Sequence, residues 1–238
     1  MTTQSRSMIP KQCSQSGAYG SRPEVRRARR LLDNGCHVSV VAPRGCGKTR
    51  LLQELARASA GPARTNHVAI YLDTSSLEGR SPEQCFQAMH DALLAELASL
   101  RPPVRTTCPK PLLGECGFVG LRSALAWCEE AGVRVEYLLD HFDRLARDLE
   151  VDSPLLGALR HLGSSPAVTF VCASRASLYD LTGGCSSWSS PFWNLFVVEN
   201  LTEHQDKADL ARLRRRMGES AGPRGSLTVS PDGRAGSV

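Results

Sequence analysis

Unbroken apolar segments recur along the chain and predict the strands of a buried sheet. They lie at residues 38–42, 67–73, 133–140, 168–174 and 195–199. Half-buried strands alternate apolar and polar residues, whereas the strands of a parallel sheet covered on both faces are apolar almost throughout. The pattern therefore predicts a parallel sheet with helices on both sides.

Helix signals separate these segments. Residues 23–32 have amphipathic spacing and end at Asn34-Gly35, a common helix C-cap. Residues 81–84, Ser-Pro-Glu-Gln, supply an N-cap, a proline at the first helical position and a capping-box glutamine. Apolar residues follow at helical spacing: Phe86, Leu93, Leu97 and Leu100. Residues 121–131 form another helix, which Gly132 ends, and this alternation of strands with helices predicts an α/β fold.

The two ends of the chain differ in composition from its centre. Residues 1–22 are polar and predicted to be disordered, and residues 206–238 are predicted to be a short basic helix followed by a disordered tail. Residues 23–205 are predicted to form one α/β core, because 238 residues support about one core of ordinary size. Within that core, residues 102–117 and 183–191 have the composition of loops.

Membrane and export signals are not evident in the sequence. The longest apolar segments are far shorter than the roughly 20 residues of a membrane span, and residues 1–20 lack the apolar centre of a secretory signal. We therefore expect a cytoplasmic protein with no membrane partner. The nine cysteines include no C-x-x-C pair and no histidine at zinc-finger spacing, so we predict free thiols, several of them buried.

The net charge of +5 is concentrated in two arginine-rich runs, at residues 26–30 and 212–216. Such runs can bind the phosphate backbone of a nucleic acid, or they can form the solvated face of an amphipathic helix. Because apolar residues occupy the other positions of both predicted helices, the solvated face is favoured.

The segment HVSVVAPRGCGKTRLL joins the first predicted strand to a helix through a glycine-rich turn. Its centre, APRGCGKT, matches the P-loop pattern with Ala42 in place of the first glycine. Backbone N–H groups at such a helix N-terminus bind phosphates, so the segment predicts an ATP site. We expect Lys48 to contact the β and γ phosphates and Thr49 to bind Mg²⁺. The predicted nucleotide-binding residues are Pro43, Arg44, Gly45, Cys46, Gly47, Lys48, Thr49 and Arg50.

A second motif follows another predicted strand. VRVEYLLDHFDRL places Asp140 at the end of a buried strand and Asp143 three residues later. An acidic side chain at that position is suited to hold Mg²⁺, directly or through water, so Thr49 and Asp140 are the predicted metal ligands. The alternative is that Asp140 only caps the helix that follows.

With these two motifs the chain resembles P-loop ATPases of the AAA+/STAND type, in particular the bacterial novel-STAND and AAA-like ATP-binding proteins. PRGCGKTRLL and LLDHFDRL resemble their Walker A and Walker B motifs, VTFVCASRASLYDL their sensor strand, and SSPFWNLF a segment that often follows it. The resemblance covers residues 23–203 and implies a three-layer P-loop NTPase sandwich whose five-stranded parallel sheet has the order 5-1-4-3-2. It also implies that Arg175 lies at the γ-phosphate. The catalytic candidates are Asp140, His141, Asp143 and Arg175.

Two departures from the family pattern bear on hydrolysis. Relatives commonly have a glutamate after the Walker B aspartate, where it orients the attacking water, but this chain has His141. His141 or Asp143 would have to supply that function. Relatives also continue into a helical lid, of which residues 201–217 resemble only the start, so we expect a truncated lid. A second copy of the chain or a protein partner would then supply a lid or an arginine finger, and hydrolysis is expected to be weak.

Three functions remain open on the sequence alone. The first is an ATP-dependent switch with weak ATPase activity in bacterial signalling or conflict systems. The second is a DNA-associated AAA+ type ATPase, such as a loader or a transposition-type regulator. The third is a truncated paralogue that binds a partner and no nucleotide. The sequence contains no base-reading motif, so the switch is favoured over the nucleic-acid function.

Overall fold

Five parallel strands form a single sheet in the computed structural model, which describes residues 23–60, 64–99, 116–146, 153–182 and 191–201. The strands are β1 (His37–Val41), β2 (His67–Asp73), β3 (Arg134–Asp140), β4 (Val168–Ser174) and β5 (Phe196–Asn200). Their order is β2-β3-β4-β1-β5, and every pair is parallel. This confirms the predicted α/β fold and the order 5-1-4-3-2. The predicted tail at 1–22 and the predicted basic helix and tail at 206–238 lie outside the described residues.

Helices connect the strands on both faces of the sheet. The described α-helices are α1 (Pro23–Asp33), α2 (Lys48–Ser59), α3 (Pro82–Leu97), α4 (Gly117–Glu130), α5 (Phe142–Leu145), α6 (Pro154–Leu162) and α7 (Leu178–Leu181). Short 3₁₀ turns at Thr74–Leu77 and Phe192–Leu195 precede α3 and β5. The second turn explains why β5 begins one residue later than predicted, since Leu195 still belongs to the turn.

Local capping chemistry fixes the predicted helix ends. Gly35 has a φ of 75°, and Cys36 N–H donates to the Leu31 carbonyl at 3.0 Å, as in a glycine-terminated helix. At the start of α3, Gln84 N–H donates to Ser81 Oγ at 3.3 Å and Ser81 N–H donates to Gln84 Oε1 at 3.0 Å. Both predicted caps are therefore confirmed.

Helix α4 begins four residues before its predicted start at residue 121, because another helix caps it. Gly117 N–H donates to Gln87 Oε1 at 2.6 Å, and Phe118 N–H donates to Glu83 Oε1 at 3.1 Å. Both acceptors lie on α3. Gly117 has a φ of 59°, which other residues adopt only with strain, and a Cβ there would also displace the Glu83 carboxylate.

The strands alternate their side chains between two apolar clusters. Tyr137, Leu139 and Phe170 belong to the cluster under α3, α4 and α6, whereas Leu138 and Val171 belong to the cluster under α1 and α2. All seven residues of β4 are buried. Burial on both faces is the physical reason for the unbroken apolar segments in the sequence.

The buried cysteines behave as small apolar side chains. Cys85, Cys128 and Cys172 are buried thiols, as predicted. Burial raises the pKa of the Cys172 thiol well above its ordinary value, so this thiol stays protonated.

The predicted solvated basic face of α1 is wrong at one position. The exposed arginines of this run are Arg26, Arg27 and Arg30. The guanidinium of Arg29 instead turns inward and forms a bidentate ion pair with Glu136 of β3. Ser59 Oγ, at the end of α2, donates to the same carboxylate at 2.7 Å. The ion pair and this hydrogen bond therefore join α1 and α2 to β3.

Glu136 is ionised although it is only 2% exposed. Burial by itself would raise the pKa of this carboxyl, but hydrogen bonds and charge from Arg29, together with other donors that include Ser59, hold it at about 2. Removing Arg29 would leave this buried charge without its arginine, with Ser59 and His67 as the neighbours that could still stabilise it.

We predict that Arg29→Met lowers the free energy of unfolding by about 3 kcal/mol, because breaking one side of a buried ion pair leaves the partner uncompensated. Methionine retains most of the apolar stem, so the change mainly removes charge. The matched control is Arg27→Met, since the pair between Arg27 and Glu199 is exposed on the arginine side and is expected to contribute less than about 1 kcal/mol. Urea denaturation at neutral pH measures both values.

The difference between wild type and Arg29→Met should also depend on pH. The pKa of Glu136 is lowered from 4.5 to about 2, so the pairing stabilises the protein above pH 4.5 and this stabilisation is lost as the pH falls towards 2. The difference in unfolding free energy should therefore shrink below about pH 5. A difference that stays constant down to about pH 3 would contradict the assigned ion pair.

Candidate functional site

The glycine-rich loop lies between the carboxyl end of β1 and the start of α2. Gly45 and Gly47 have φ values of 88° and 82°, a left-handed conformation that other residues adopt only with strain. Gly47 directly precedes α2, and no side chain caps this helix start. The first N–H groups of a helix have no acceptor within the helix, and they concentrate partial positive charge. The loop therefore has the geometry of an anion site.

Lys48 is the first residue of α2, and its side chain folds back under the loop. It is 8% exposed, and Nζ donates to the carbonyls of Ala42 at 2.6 Å and Pro43 at 2.8 Å. Burial lowers the pKa of Lys48, while the charges of Asp140 and Asp143, among others, act in the opposite direction. The ammonium is therefore held close to both carboxylates that the sequence singled out.

Asp140 ends β3 and is fully buried. Its Oδ2 accepts a hydrogen bond from the Tyr71 hydroxyl at 2.8 Å, and its Oδ1 accepts from His141 N–H at 2.9 Å. Thr74 Oγ1 donates to the Asp140 carbonyl at 2.7 Å. Helix α5 follows with His141, rather than Asp140, as its N-cap residue.

His141 adopts a left-handed conformation, with a φ of 55°. Its Nδ1 lies 3.1 Å from Asp73 Oδ1, and Asp73 stands beside Asp140 in the register of β2 and β3. Burial would raise the pKa of Asp73, but hydrogen bonds from Ser75 and His141 hold it below its ordinary value. The ends of β2 and β3 therefore present the adjacent carboxylates of Asp73 and Asp140, and the His141 imidazole is hydrogen-bonded to Asp73.

Asp143 and Arg175 form the other ion pair of this edge. Arg175 directly follows β4, and its Nε donates to Asp143 Oδ2 at 2.6 Å. Asp143 is 7% exposed, whereas the arginine side chain is 54% exposed. The guanidinium predicted to meet a γ-phosphate is thus paired with a carboxylate of the second motif.

The sequence-predicted site residues lie on the loop, in the first turn of α2, at the carboxyl ends of β3 and β4 or in the short helix α5, and they differ in exposure. Thr49 and Cys46 are partly buried beside Lys48, whereas Arg44 is exposed. Arg50 pairs with Glu54 one turn further along α2. The described structure therefore brings the loop, the second motif and Arg175 to one edge, which is where open α/β sheets bind ligands.

Sequence reasoning missed the contribution of β2 and of the 3₁₀ turn that follows it. Tyr71 and Asp73 of β2 and Thr74 of the turn all contact Asp140 or His141. Asp73 could have been found, because it is an acidic residue at the end of a predicted strand and parallel strands end at the same edge. Tyr71 has no such signal, since only the register between β2 and β3 brings its hydroxyl to Asp140.

Comparison with known proteins shows that the chain shares a fold with solved structures. No family model and no curated protein matches the chain. A Walker-type ATPase of Pyrococcus abyssi matches with a TM-score of 0.58 and 15% identity, over 84% of this chain and 59% of that one. The ORC1 protein of Aeropyrum pernix, solved in complex with DNA, matches with a TM-score of 0.53 and 15% identity, over 82% and 48% of the two chains. The chain has the fold of a P-loop ATPase.

The same fold appears in the Aeropyrum pernix ORC2 protein, whose structure contains ADPNP and ADP complexes. This match has a TM-score of 0.52 and 12% identity, over 89% of this chain and 55% of that one. The chain thus spans about half to three fifths of the length of the three solved structures. No helix within the described ranges has both the length and the apolar character of a membrane span.

Proposed function

We propose that the chain binds ATP with Mg²⁺ at residues 43–50 and acts as a nucleotide-dependent switch with weak hydrolysis. The observation that carries this proposal is the buried ammonium of Lys48, which lies under a glycine loop at a helix N-terminus and close to Asp140 and Asp143. Loops of this kind cradle phosphates, and the lysine charge opposes that of the β and γ phosphates. The fold, which is shared with Walker-type ATPases, supports the proposal.

The residues at this edge also fit a magnesium ion. Mg²⁺ prefers oxygen ligands and is usually held by one or two protein side chains together with substrate phosphates and water. Asp140 supplies a buried carboxylate, and Thr49 supplies a hydroxyl in the first turn of α2. Among the described residues no larger cluster of potential metal ligands exists, and a nucleotide-bound Mg²⁺ does not require one. When bound, the ion neutralises phosphate charge.

We predict that Lys48→Met weakens ATP binding by about 10-fold or more, because a charge-assisted contact with the phosphates is lost. The matched control is Arg122→Ala, which removes an exposed cation from α4. Calorimetry with ATP and Mg²⁺ measures both variants, and thermal unfolding checks that each variant is folded. If the Lys48 variant binds ATP as tightly as wild type does, the nucleotide site is not at this loop.

Arg175 is the residue that we propose distinguishes ATP from ADP. It follows β4, between the loop of β1 and the aspartates of β3, and its exposed guanidinium retains donors beyond those used by Asp143. A γ-phosphate would compete with Asp143 for this cation. Such a contact exists only with the triphosphate, so it shifts the balance between two states of the site.

Arg175→Ala should therefore narrow the ratio of ATP affinity to ADP affinity while leaving ADP binding nearly unchanged. Arg144→Ala is the matched control, since Arg144 adjoins Asp143 in the sequence but pairs with Glu78. Calorimetry with each nucleotide in the presence of Mg²⁺ gives the ratio. An unchanged ratio in the Arg175 variant would exclude it as a sensor.

Weak hydrolysis follows from the residue beside Asp140. A carboxylate commonly orients the attacking water at this position in the family that the chain resembles, whereas His141 is bound to Asp73. Stabilising the spread charge of the transferring phosphoryl group also calls for a cation such as an arginine finger. We propose that a second copy of the chain or a protein partner provides it.

We predict slow turnover that rises with protein concentration, and faster turnover when a carboxylate is restored. Because His141 contacts Asp73, His141→Glu alone would place a glutamate carboxylate against that of Asp73. The informative variant is therefore His141→Glu combined with Asp73→Asn, and Asp73→Asn alone is its control. Phosphate release measures the rates. Fast turnover by wild type at all concentrations would contradict the switch, and a double variant no faster than its control would contradict the assignment of position 141.

A DNA-associated function is the second candidate, because the ORC1 protein with the same fold was solved with DNA. The charges of α1 support this DNA-associated function less than they would if the whole arginine-rich run were unpaired. Arg29 is neutralised by Glu136, and Arg27 pairs with Glu199, so part of the basic run serves the fold. DNA binding measured at increasing salt separates the two functions, since phosphate contacts weaken steeply with salt.

The biological setting that we propose is bacterial signalling or conflict, as the STAND resemblance implies, and we place it in the cytoplasm on the sequence patterns described above. ATP affinity also separates this switch from a partner-binding paralogue. If wild type binds no ATP, the paralogue is favoured.

A further inference from the structure

The side chain of Tyr71 reaches from β2 to the carboxylate at the end of β3. Tyr71 is paired in register with Leu138, and its hydroxyl contacts Asp140, which lies two residues further along the same face of the sheet. The ring packs against the apolar cluster under α1 and α2. A phenylalanine at this position would fill the same apolar space and would lack only the hydrogen bond to Asp140.

This bond completes the support of the Asp140 carboxylate. Oδ2 accepts from the Tyr71 hydroxyl at 2.8 Å, and Oδ1 accepts from His141 N–H at 2.9 Å. One donor belongs to β2 and the other to the backbone after β3, so the plane of the carboxylate is fixed from two elements. Each oxygen keeps a further lone pair, because a carboxylate accepts about four hydrogen bonds or ligands in total.

We propose that Tyr71 is a positioning residue for the divalent cation that accompanies the nucleotide. Its hydroxyl holds Asp140 in one orientation, so that the carboxylate oxygens are fixed before the cation arrives. This inference rests on the proposed nucleotide function. It follows from a general property of metal sites, in which the partners of a ligand orient it and their loss typically weakens metal binding by about 10- to 100-fold.

A second tyrosine in the same sheet has a hydroxyl that bonds only within the apolar core, away from the site. Tyr137 of β3 is fully buried, and its hydroxyl donates to the Met89 carbonyl at 3.1 Å, within the cluster on the opposite face of the sheet. Loss of this hydroxyl removes a buried hydrogen bond without touching the site. Tyr137→Phe is therefore the matched control for Tyr71→Phe.

The experiment measures ATP affinity by calorimetry with saturating Mg²⁺ and again with EDTA. The ratio of the two affinities is the gain due to Mg²⁺. We expect Tyr71→Phe to reduce this gain by about 10-fold while ATP affinity in EDTA stays at the wild-type value. Tyr137→Phe should keep the wild-type gain, although its stability is expected to fall.

A double variant tests whether Tyr71 acts through Asp140. Asp140→Asn removes the charge that binds the cation, so adding Tyr71→Phe to it should cause no further loss of the Mg²⁺ gain. A further loss in the double variant would overturn the proposal, and so would an unchanged gain in Tyr71→Phe. An equal loss of affinity with and without Mg²⁺ would also overturn it, because that result indicates a structural effect. Wild type that binds no ATP would instead contradict the proposed function.

Discussion

The ammonium of Lys48 is buried against the carbonyls of Ala42 and Pro43, and the rest of the site is arranged around this charge. A cation in that position needs acceptors, and a tight loop provides them only if its backbone takes left-handed turns. Gly45 and Gly47 supply these turns. The same loop leads directly into α2, whose first N–H groups have no acceptor within the helix, so that one local arrangement gives both a charge and a set of donors.

The two ends of the sheet use their ion pairs differently. Arg29 of α1 pairs with the buried carboxylate of Glu136 in β3, and Ser59 of α2 donates a hydrogen bond to the same carboxylate. These contacts therefore join three elements. At the carboxyl edge, Arg175 pairs with Asp143 but remains half exposed. Breaking a satisfied buried pair leaves an uncompensated charge, whereas a partly exposed pair can exchange its partner for a ligand. This difference in burial is the physical basis for giving one pair a structural role and for proposing nucleotide sensing for the other.

Much of this arrangement follows from short-range sequence patterns. Strands β2 and β4 lie within their predicted bounds, and the caps at Ser81 and Gly35 form because their chemistry is local. The start of α4 could not be predicted, since side chains of α3 cap it. The inward turn of Arg29 depends in the same way on a contact with Glu136 of β3, and the reach of Tyr71 depends on the register between β2 and β3. Tertiary contacts, rather than weak local signals, account for these errors.

Hydrogen–deuterium exchange of the wild-type chain, alone and with ADP or ATP in the presence of Mg²⁺, tests the switch most directly. We expect both nucleotides to protect the backbone of residues 42–50. We further expect ATP to add protection at residues 140–143 and 175–178, because the third phosphate would contact the ends of β3 and β4. Protection by neither nucleotide at residues 42–50, or identical protection by both at the strand ends, would contradict the proposed switch.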